Sequence, residues 1–383
     1  RRVKGSGPRP QPLAGERPDD RSLVISALGF LWRMPLNGGP AKRLFQASAF
    51  EQSPAFSPNG KQLAFVHSQY GKQEVRVYNF ESAQTRTLAS GSGDLDDPSW
   101  SSDGQRLVYL DDDANRVVAV NLKDGKKEQL AETAWWQDAR PHFSADGQSL
   151  YLSVHPTRTA IGTLYRLPLK EKAKPEPVTQ LARYLSHALV SPDGKWLAFR
   201  RNTEIWVAPL GKVPVGEEEV RQLSPEGGKT FGFTRDASAL IYAVGNRVWR
   251  HPLASGEREE IPIRLKLQRP TPPPLLLRRV RVLDFQAGRF GPETSLYIEH
   301  GRIRWVGSER DHELPQETVV VDAGGRFAIP GLFDMHGHAE FSFAANQEAF
   351  LAYGVTSVRD VGGRHTWLNV LADRSDATNQ PVP

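Results

Sequence analysis

The sequence contains no cysteine, no long apolar run and no excess of charge of one sign. The lack of cysteine excludes disulfide bonds and thiolate metal sites, but it leaves the cellular compartment open. No apolar run reaches the roughly 18 residues that a membrane-spanning helix needs. The net charge is only +5, and acidic and basic residues alternate along most of the chain. Because a nucleic-acid-binding protein needs a clustered basic face, we expect no nucleic-acid partner.

The chain has 383 residues, enough for two or three domains. It begins with Arg1 and stops at Pro383 inside a patterned stretch, and we interpret it as a fragment. Composition and pattern predict four segments: a basic, Pro-rich arm (1–20), a repeat domain (21–265), a Pro-rich linker (266–274) and a domain of another kind (275–383).

One sequence unit recurs five times between Pro54 and Val244. The copies read PAFSPNGKQLAFV, PSWSSDGQRLVYL, PHFSADGQSLYLS, ALVSPDGKWLAFR and GFTRDASALIYAV. The shared Ser or Thr stands at positions 57, 101, 144, 191 and 234, which are 44, 43, 47 and 43 residues apart. So even a spacing indicates a repeat architecture.

Each copy predicts a strand, a tight turn and a second strand. Four copies have Asn-Gly or Asp-Gly in the turn, and these residues tolerate positive φ. The fifth has Asp236-Ala237, so its turn is expected to differ. Two more strands follow each copy, and four strands in about 40 to 45 residues are typical of a β-propeller blade.

Residues 22–45 supply the last three strands of a further blade, which makes six blades. Its first strand comes either from upstream or from the segment near IPIRLKL, which would close the ring. The repeats resemble the TolB-like six-bladed propeller family over roughly residues 20–265, through sequences such as SPDGKWLAF. Such a propeller is either a binding platform or lid for a neighbouring active site, or a scaffold without a ligand, because fold alone does not fix function.

The stretch LQRPTPPPLLLRR favours an extended polyproline conformation, and we place the domain boundary there. The strands predicted beyond it do not continue the blade pattern. They are LLLRRVRVLD, a hairpin in TSLYIEHGRIRWVG that turns at His300-Gly301, and ETVVVDAGGRFAIPG. They predict a small β-sandwich.

The stretch PGLFDMHGHAE, residues 330–340, carries the pattern most typical of an enzyme. It reads as a strand, and side chains two apart in a strand share a face. Asp334, His336 and His338 would therefore lie on one side, and two neutral imidazoles can bind one divalent ion. Gly337 between them leaves room.

A helix (ANQEAFLAYG, ending at Gly354), a second strand (VTSVRD) and a further helix (TWLNVLADR) follow the motif. This β-α-β-α order is the opening of a parallel barrel or a wound sheet. In a barrel the active site lies at the C-terminal ends of the strands, where His336, His338 and Asp360 would meet.

The combined motif, VVVDAGGRFAIPGLFDMHGHAE followed by AYGVTSVRDVGG, resembles the metal-dependent amidohydrolase superfamily over about residues 275–383. The resemblance implies a β-sandwich before a (β/α)8 barrel, with His336 and His338 as ligands of one or two divalent ions, zinc being expected. It implies hydrolysis of carbon-nitrogen bonds in non-peptide or small dipeptide-like amides, by a metal that activates water and polarises the carbonyl.

The other polar residues near the motif are given smaller roles. Asp334 either orients a histidine ligand or faces inward lower in the strand, and Asp360 has the same supporting role. Asp360 and His365 are not expected as ligands, because the family's remaining ligands come from later strands. Those ligands and the general-base Asp would lie beyond Pro383, so we expect this chain to be inactive by itself. His300 and His312 are expected at the surface.

Other functions fit the sequence less well. A propeller-bearing serine peptidase needs a G-x-S-x-G motif, and the sequence has none. GGKT at 227–230 imitates a phosphate loop, but Leu223 stands where the first Gly is required. The remaining alternative is a non-catalytic module whose propeller binds a protein partner, and the intact DMHGH argues against it. We expect a small amide substrate, no membrane span, and export to the bacterial periplasm.

Overall fold

The computed structural model describes residues 10–16, 22–27, 29–45, 49–69, 72–91, 95–111, 116–132, 140–154, 162–170, 173–182, 185–202, 204–224, 228, 230–244, 247–254, 256–265, 272–337 and 350–360. The chain divides into two compact units, Arg1–Lys266 (unit 1) and Leu267–Pro383 (unit 2). Strands dominate both units. The described helices are the 3-10 turns Glu217–Glu219 and Glu309–Asp311 and the helical residues 350–352.

The described residues of unit 1 form six sheets, each with four consecutive antiparallel strands, and each sheet is a blade. Blade 1 has β1 (Pro10–Glu16), β2 (Ser22–Ala27), β3 (Phe30–Pro35) and β4 (Gly39–Arg43). Blade 2 has β5 (Phe50–Phe56), β6 (Gln62–Gln69), β7 (Lys72–Asn79) and β8 (Gln84–Gly91). Blade 3 has β9 (Leu95–Trp100), β10 (Arg106–Asp111), β11 (Arg116–Asn121) and β12 (Lys127–Glu132).

The second half of the ring follows the same plan. Blade 4 has β13 (His142–Phe143), β14 (Ser149–Val154), β15 (Thr163–Pro168) and β16 (Glu176–Pro177). Blade 5 has β17 (Ser186–Val190), β18 (Trp196–Arg201), β19 (Glu204–Pro209) and β20 (Arg221–Gln222). Blade 6 has β21 (Phe231–Phe233), β22 (Ala239–Val244), β23 (Arg247–Pro252) and β24 (Glu259–Ile261), and β25 (Ile263–Leu265) follows it. The predicted six-bladed propeller is confirmed.

The first strand of each blade lies at the centre of the ring. β5 contacts β1 and β9, β9 contacts β13, and β1 also contacts β21 of the last blade. The core consists of layers between neighbouring blades. In one layer Val77 of blade 2 and Leu107 of blade 3 belong to the same buried cluster, and in another Phe231 of blade 6 packs with Ile205 of blade 5. Burial of each such side chain stabilises the fold by about 1.5–3 kcal/mol.

Blade 1 takes strands from both ends of the propeller. β1 pairs antiparallel with β2, and β25 pairs parallel with β4 as a fifth strand at the outer edge. The missing strand therefore comes from upstream, and the IPIRLKL segment closes the ring at another place. The predicted arm over residues 1–20 is wrong for residues 10–16, because these residues complete a sheet that would otherwise lack its inner strand.

The recurring Ser and Asp build the turn after each inner strand. The Ser101 hydroxyl donates to Asp103 Oδ1 over 2.6 Å and accepts from Arg106 N over 2.9 Å. This hydrogen bond from Ser101 is the largest cause of the lowered pKa of Asp103. Blade 6 keeps the same turn although it lacks Gly, because Ala237 adopts φ 55° and its N–H donates to Thr234 O. The expected difference in that turn is therefore wrong.

Unit 2 contains a mixed five-stranded sheet with β26 (Leu275–Asp284) at its centre. β26 pairs antiparallel with β27 (Arg289–Glu299), and parallel with β29 (Val319–Asp322) and β30 (Phe327–Ala328). β28 (Arg302–Gly307) pairs with β27 through a hairpin at His300-Gly301, as predicted. The described residues show no second sheet facing this one, so the β-sandwich stays a prediction.

A separate two-stranded parallel sheet ends the described chain. It consists of β31 (Leu332–Gly337) and β32 (Val355–Asp360), so the two strands predicted around the motif are confirmed. Residues 350–352 between them are helical. The rest of that predicted helix and the helix predicted after β32 lie outside the described residues, and the barrel stays a prediction.

Candidate functional site

His336, the first histidine of the motif, lies at the C-terminal end of β31. β31 and β32 run parallel, and the backbone of Gly337 is opposite that of Asp360. Just before β31, Gly331 lies against Thr356 of β32. Glycine is required there, since a Cβ would overlap the side chain of Thr356. The structure therefore brings the ends of both predicted strands to one edge, as expected for a site built on strand ends.

The strand is less regular at the motif than the sequence pattern predicts. Its pairing register shifts between Asp334 and Gly337, which interrupts the simple alternation of side chains. The Asp334 carboxylate accepts a hydrogen bond from His336 N over 3.0 Å. Its described contact therefore fixes the backbone of His336 rather than the imidazole ring, and the His336 side chain is exposed.

Several predicted site residues lie wholly or partly outside the described structure. His338 and His365 are outside it, and only the backbone of Asp360 is described. His300 and His312 are exposed as predicted, with the His312 ring stacked on Trp305 at 4.2 Å between centroids. Among the described residues, no group of three His, Cys, Asp or Glu side chains could hold a metal ion.

A second candidate site lies at the centre of the propeller. A cavity of about 460 Å³ is lined by β5, β9, β13, β17 and β21 and by the turns that follow them. Its walls are rich in proline and aromatic side chains, and its charged lining residues are Asp97, Arg140 and Arg235. A concave, mainly apolar surface with few charges is typical of small-molecule sites, which span about 300–1,000 Å³.

One repeat position along the inner strands has an unusual backbone conformation. Four residues before the shared Ser, successive blades carry Ser53, Asp97, Arg140 and His187, with φ of 52°, 50°, 44° and 51°. The pairing register shifts at the first, second and fourth of these positions. A non-glycine residue in the left-handed region costs on the order of 1–3 kcal/mol, and such strain is frequent at functional sites.

Arg140 links two blades that are not neighbours in the ring. Its Nη2 donates to Phe231 O over 2.7 Å, from blade 4 to blade 6, and its Cζ lies 4.9 Å from the centroid of the Phe231 ring. Among the described residues, Phe231 O is the one hydrogen-bond acceptor of the Arg140 guanidinium, which carries five N–H groups. Burial lowers the pKa of Arg140, and the charges of Asp97 and Asp96 act against that change.

His142, which also lines the cavity, is a buried structural histidine. Its Nε2 accepts a hydrogen bond from Val190 N over 3.0 Å, so Nδ1 carries the proton and donates to Arg140 O over 2.9 Å. Burial is the main cause that lowers the pKa of His142 to about 4. The ring is therefore neutral at pH 7 and holds the Arg140 backbone in place.

The sequence pattern did not lead to the residues of this cavity. Asp97 and Arg140 come from different blades and belong to no short chemical motif. The repeat alignment does contain a difference between two positions. The position two residues after the shared Ser is always Asn or Asp, whereas the position four residues before it differs in chemistry from blade to blade.

Comparison with known proteins gives short matches to two enzymes. The chain is 36% identical over 90 residues to an adenine deaminase of Mesorhizobium japonicum, which covers 23% of this chain and 15% of that enzyme. It is 40% identical over 70 residues to an imidazolonepropionase of Cereibacter sphaeroides, covering 18% of this chain and 17% of the enzyme. The chain thus spans about one sixth of the length of these relatives.

The propeller has broader matches. The structure of TolB from Acinetobacter baumannii aligns with a TM-score of 0.50 and 16% identity, over 65% of each chain, and this likeness supports the fold alone. None of the helices in the described part of the chain is long and apolar enough to cross a bilayer. The family model of the TolB beta propeller domain matches residues 31–247, more than half of the chain. The chain therefore belongs to the TolB beta propeller domain family.

Proposed function

We propose that the intact protein is a metal-dependent hydrolase that cleaves carbon-nitrogen bonds in small amides, with His336 and His338 as metal ligands. One observation carries the proposal: Asp334 and His336 lie at the C-terminal end of β31, which pairs in parallel with β32, and residues 350–352 between the two strands are helical. The short matches to an adenine deaminase and an imidazolonepropionase support it.

The described residues supply one of the ligands that such an ion needs. An exposed imidazole at a strand end is a ligand that zinc prefers, and His336 provides one. Asp334 would support the ion indirectly, because its carboxylate holds the His336 backbone and so would limit the positions of the ring. The proposal takes the second imidazole from His338. Further ligands and a general-base Asp are proposed to come from later strands of a (β/α)8 barrel.

A bound divalent ion, which we propose to be zinc, would supply Lewis-acid activation of water and of the amide carbonyl. The residues of this chain would bind and orient the ion. The apolar side chains of Phe333 and Met335 are 72% and 59% exposed on β31, and we infer that further strands of the barrel pack around them in the intact protein.

Metal analysis of the protein purified from the whole reading frame tests this proposal. We expect about one or two zinc ions per chain, and we expect His336→Ala and His338→Ala each to lower the zinc content at least tenfold and to abolish amide hydrolysis. His300→Ala is the matched control, since His300 is exposed in unit 2 and lies at a hairpin. Full zinc content in both motif variants would exclude these ligands.

The main alternative is that the protein is a non-catalytic module whose propeller binds a protein partner. The cavity in unit 1 favours a binding role for that unit, but it does not exclude hydrolysis elsewhere in the chain. Metal-free full-length protein with no hydrolysis of amides would favour the binding module. We also propose that the protein is exported to the bacterial periplasm, and its absence from a periplasmic fraction would contradict this.

A further inference from the structure

The central cavity of the propeller has the composition of a ligand site. Within the repeat, the turn position two residues after the shared Ser or Thr is always Asn or Asp, and its side-chain Oδ1 accepts a hydrogen bond from that hydroxyl, so this position serves the fold. The strained position four residues before varies as Ser53, Asp97, Arg140 and His187. The position four residues before the shared Ser therefore does not belong to the pattern that builds the turn.

The charged lining of the cavity favours an anion. Arg140 has one hydrogen bond to a described residue, at Nη2, and its remaining N–H groups are the donor set that matches a carboxylate. The guanidinium contacts the carbonyl and the ring of Phe231, and His142 holds the backbone of Arg140. A preorganised donor of this kind loses little conformational freedom when it binds a ligand.

The other lining residues limit the ligand further. Asp97 also lines the cavity, and its negative charge acts on Arg140, which disfavours a dianion such as phosphate. Pro54, Pro98, Trp100 and Phe143 form apolar walls. The volume of about 460 Å³ suits a molecule of the size of a modified amino acid.

We propose that the propeller cavity binds a small monocarboxylate with an apolar body, whose carboxylate pairs with Arg140. This site is separate from the histidine motif, and it does not depend on the proposed hydrolase activity. The apolar body would lie against the proline and aromatic walls.

Calorimetric titration of the 383-residue chain with N-acetyl-phenylalanine and with its neutral amide tests the proposal. We expect the acid to bind at least about tenfold more tightly than the amide, because charge-assisted hydrogen bonds to a guanidinium are the stronger kind. Arg140→Gln should reduce the affinity for the acid to that for the amide. The matched control is Arg86→Gln, because Arg86 also donates to a backbone carbonyl, that of Leu122 in the next blade, but does not line this cavity.

The variant Asp97→Asn distinguishes a change in the charge of the cavity from damage to its structure. Removal of the opposing charge should strengthen binding of the acid several-fold and leave binding of the amide unchanged, whereas a damaged cavity would weaken both. Equal binding of the acid and the amide by the native chain would overturn the proposal. A preference for the acid that survives in Arg140→Gln, or one that falls in Asp97→Asn, would overturn it as well.

Discussion

His142 in blade 4 accepts a hydrogen bond at Nε2 from Val190 N in blade 5, over 3.0 Å. Its Nδ1 donates to Arg140 O, so both ring nitrogens are used and the buried ring must stay neutral. A second proton on the ring would remove the acceptor that joins the two blades. This bond makes the contact between neighbouring blades sensitive to acid.

The first prediction concerns stability at acid pH. Burial lowers the pKa of His142 to about 4 in the folded chain, below its ordinary value of 6.5. The contribution of a neutral His142 is therefore complete above pH 6.5 and is lost as the pH falls towards 4, by on the order of 3 kcal/mol in all. His142→Gln, which can still donate and accept, should lose less stability over this range. Urea unfolding at several pH values measures the effect, with His300→Gln as a surface control.

The second prediction concerns Glu51, which joins blades 1 and 2. Its N–H donates to Gly29 O, and its carboxylate accepts from Leu31 N over 3.2 Å. Burial is the main cause that raises the pKa of Glu51 to about 7, and the hydrogen bond from Leu31 acts against it. The folded chain therefore binds the extra proton between about pH 4.5 and 7, and the native protein loses stability as the pH rises through that window.

Glu51→Gln removes the buried charge and keeps an acceptor for Leu31 N. Its stability relative to the native protein should rise from pH 4.5 to about 7.5, by up to roughly 3 kcal/mol, and then stay level. Glu81→Gln is the control, because Glu81 is an exposed carboxylate paired with Lys61. A stability difference between Glu51→Gln and the native protein that does not change with pH would show that Glu51 is not buried as an acid.

The third prediction concerns the turn of blade 6. Ala237 has φ 55° where four other blades have glycine, and a Cβ is disfavoured in that region. Ala237→Gly should therefore stabilise the fold by about 1 kcal/mol, whereas Ala239→Gly, two residues later in β22, should destabilise it by about as much. Thermal unfolding of the two variants gives opposite shifts if the strain is real. A loss of stability in both would contradict it.

The fourth prediction concerns closure of the ring. A Cβ at Gly38 would lie 2.5 Å from the Pro262 ring and 2.7 Å from Pro262 O, while a Cβ at Gly39 would meet no atom within 4 Å. Both glycines have positive φ, of 92° and 124°, so both alanine variants are strained. Gly38→Ala should be less stable than Gly39→Ala by about 1–3 kcal/mol, because it also forces β25 away from β4. Urea unfolding of the pair measures the difference.

The sequence was sufficient to predict most of the propeller. The Ser–Asp hydrogen bond needs its residues at fixed positions in every turn, so the turns of blades 2 to 6 left a visible period. β1 was missed because the equivalent stretch, Arg17-Pro18-Asp19-Asp20-Arg21, lacks both the Ser and the Gly. β25 has three residues and a parallel partner far away in the sequence, and no local pattern predicts such a pairing.

The candidate sites were predictable to different degrees. His336 belongs to a contiguous motif, and its place at a strand end follows from the local pattern. Asp97 and Arg140 line one cavity only because blades 3 and 4 pack around a common axis, and the register shift at Asp97 breaks the alternation on which strand prediction depends. The register shift after Asp334 could not be predicted for the same reason.

The pairing of β25 with β4 has a consequence for synthesis of the protein. Blade 1 contains both β1 and a strand that begins at Ile263, so its sheet cannot be completed until the ribosome has released the whole propeller. Until then the nascent chain is an open arc of blades with an unpaired outer edge at β4. A free chain that ends before Pro262 should therefore be cleaved readily by proteases, and extension by only a few more residues should protect it.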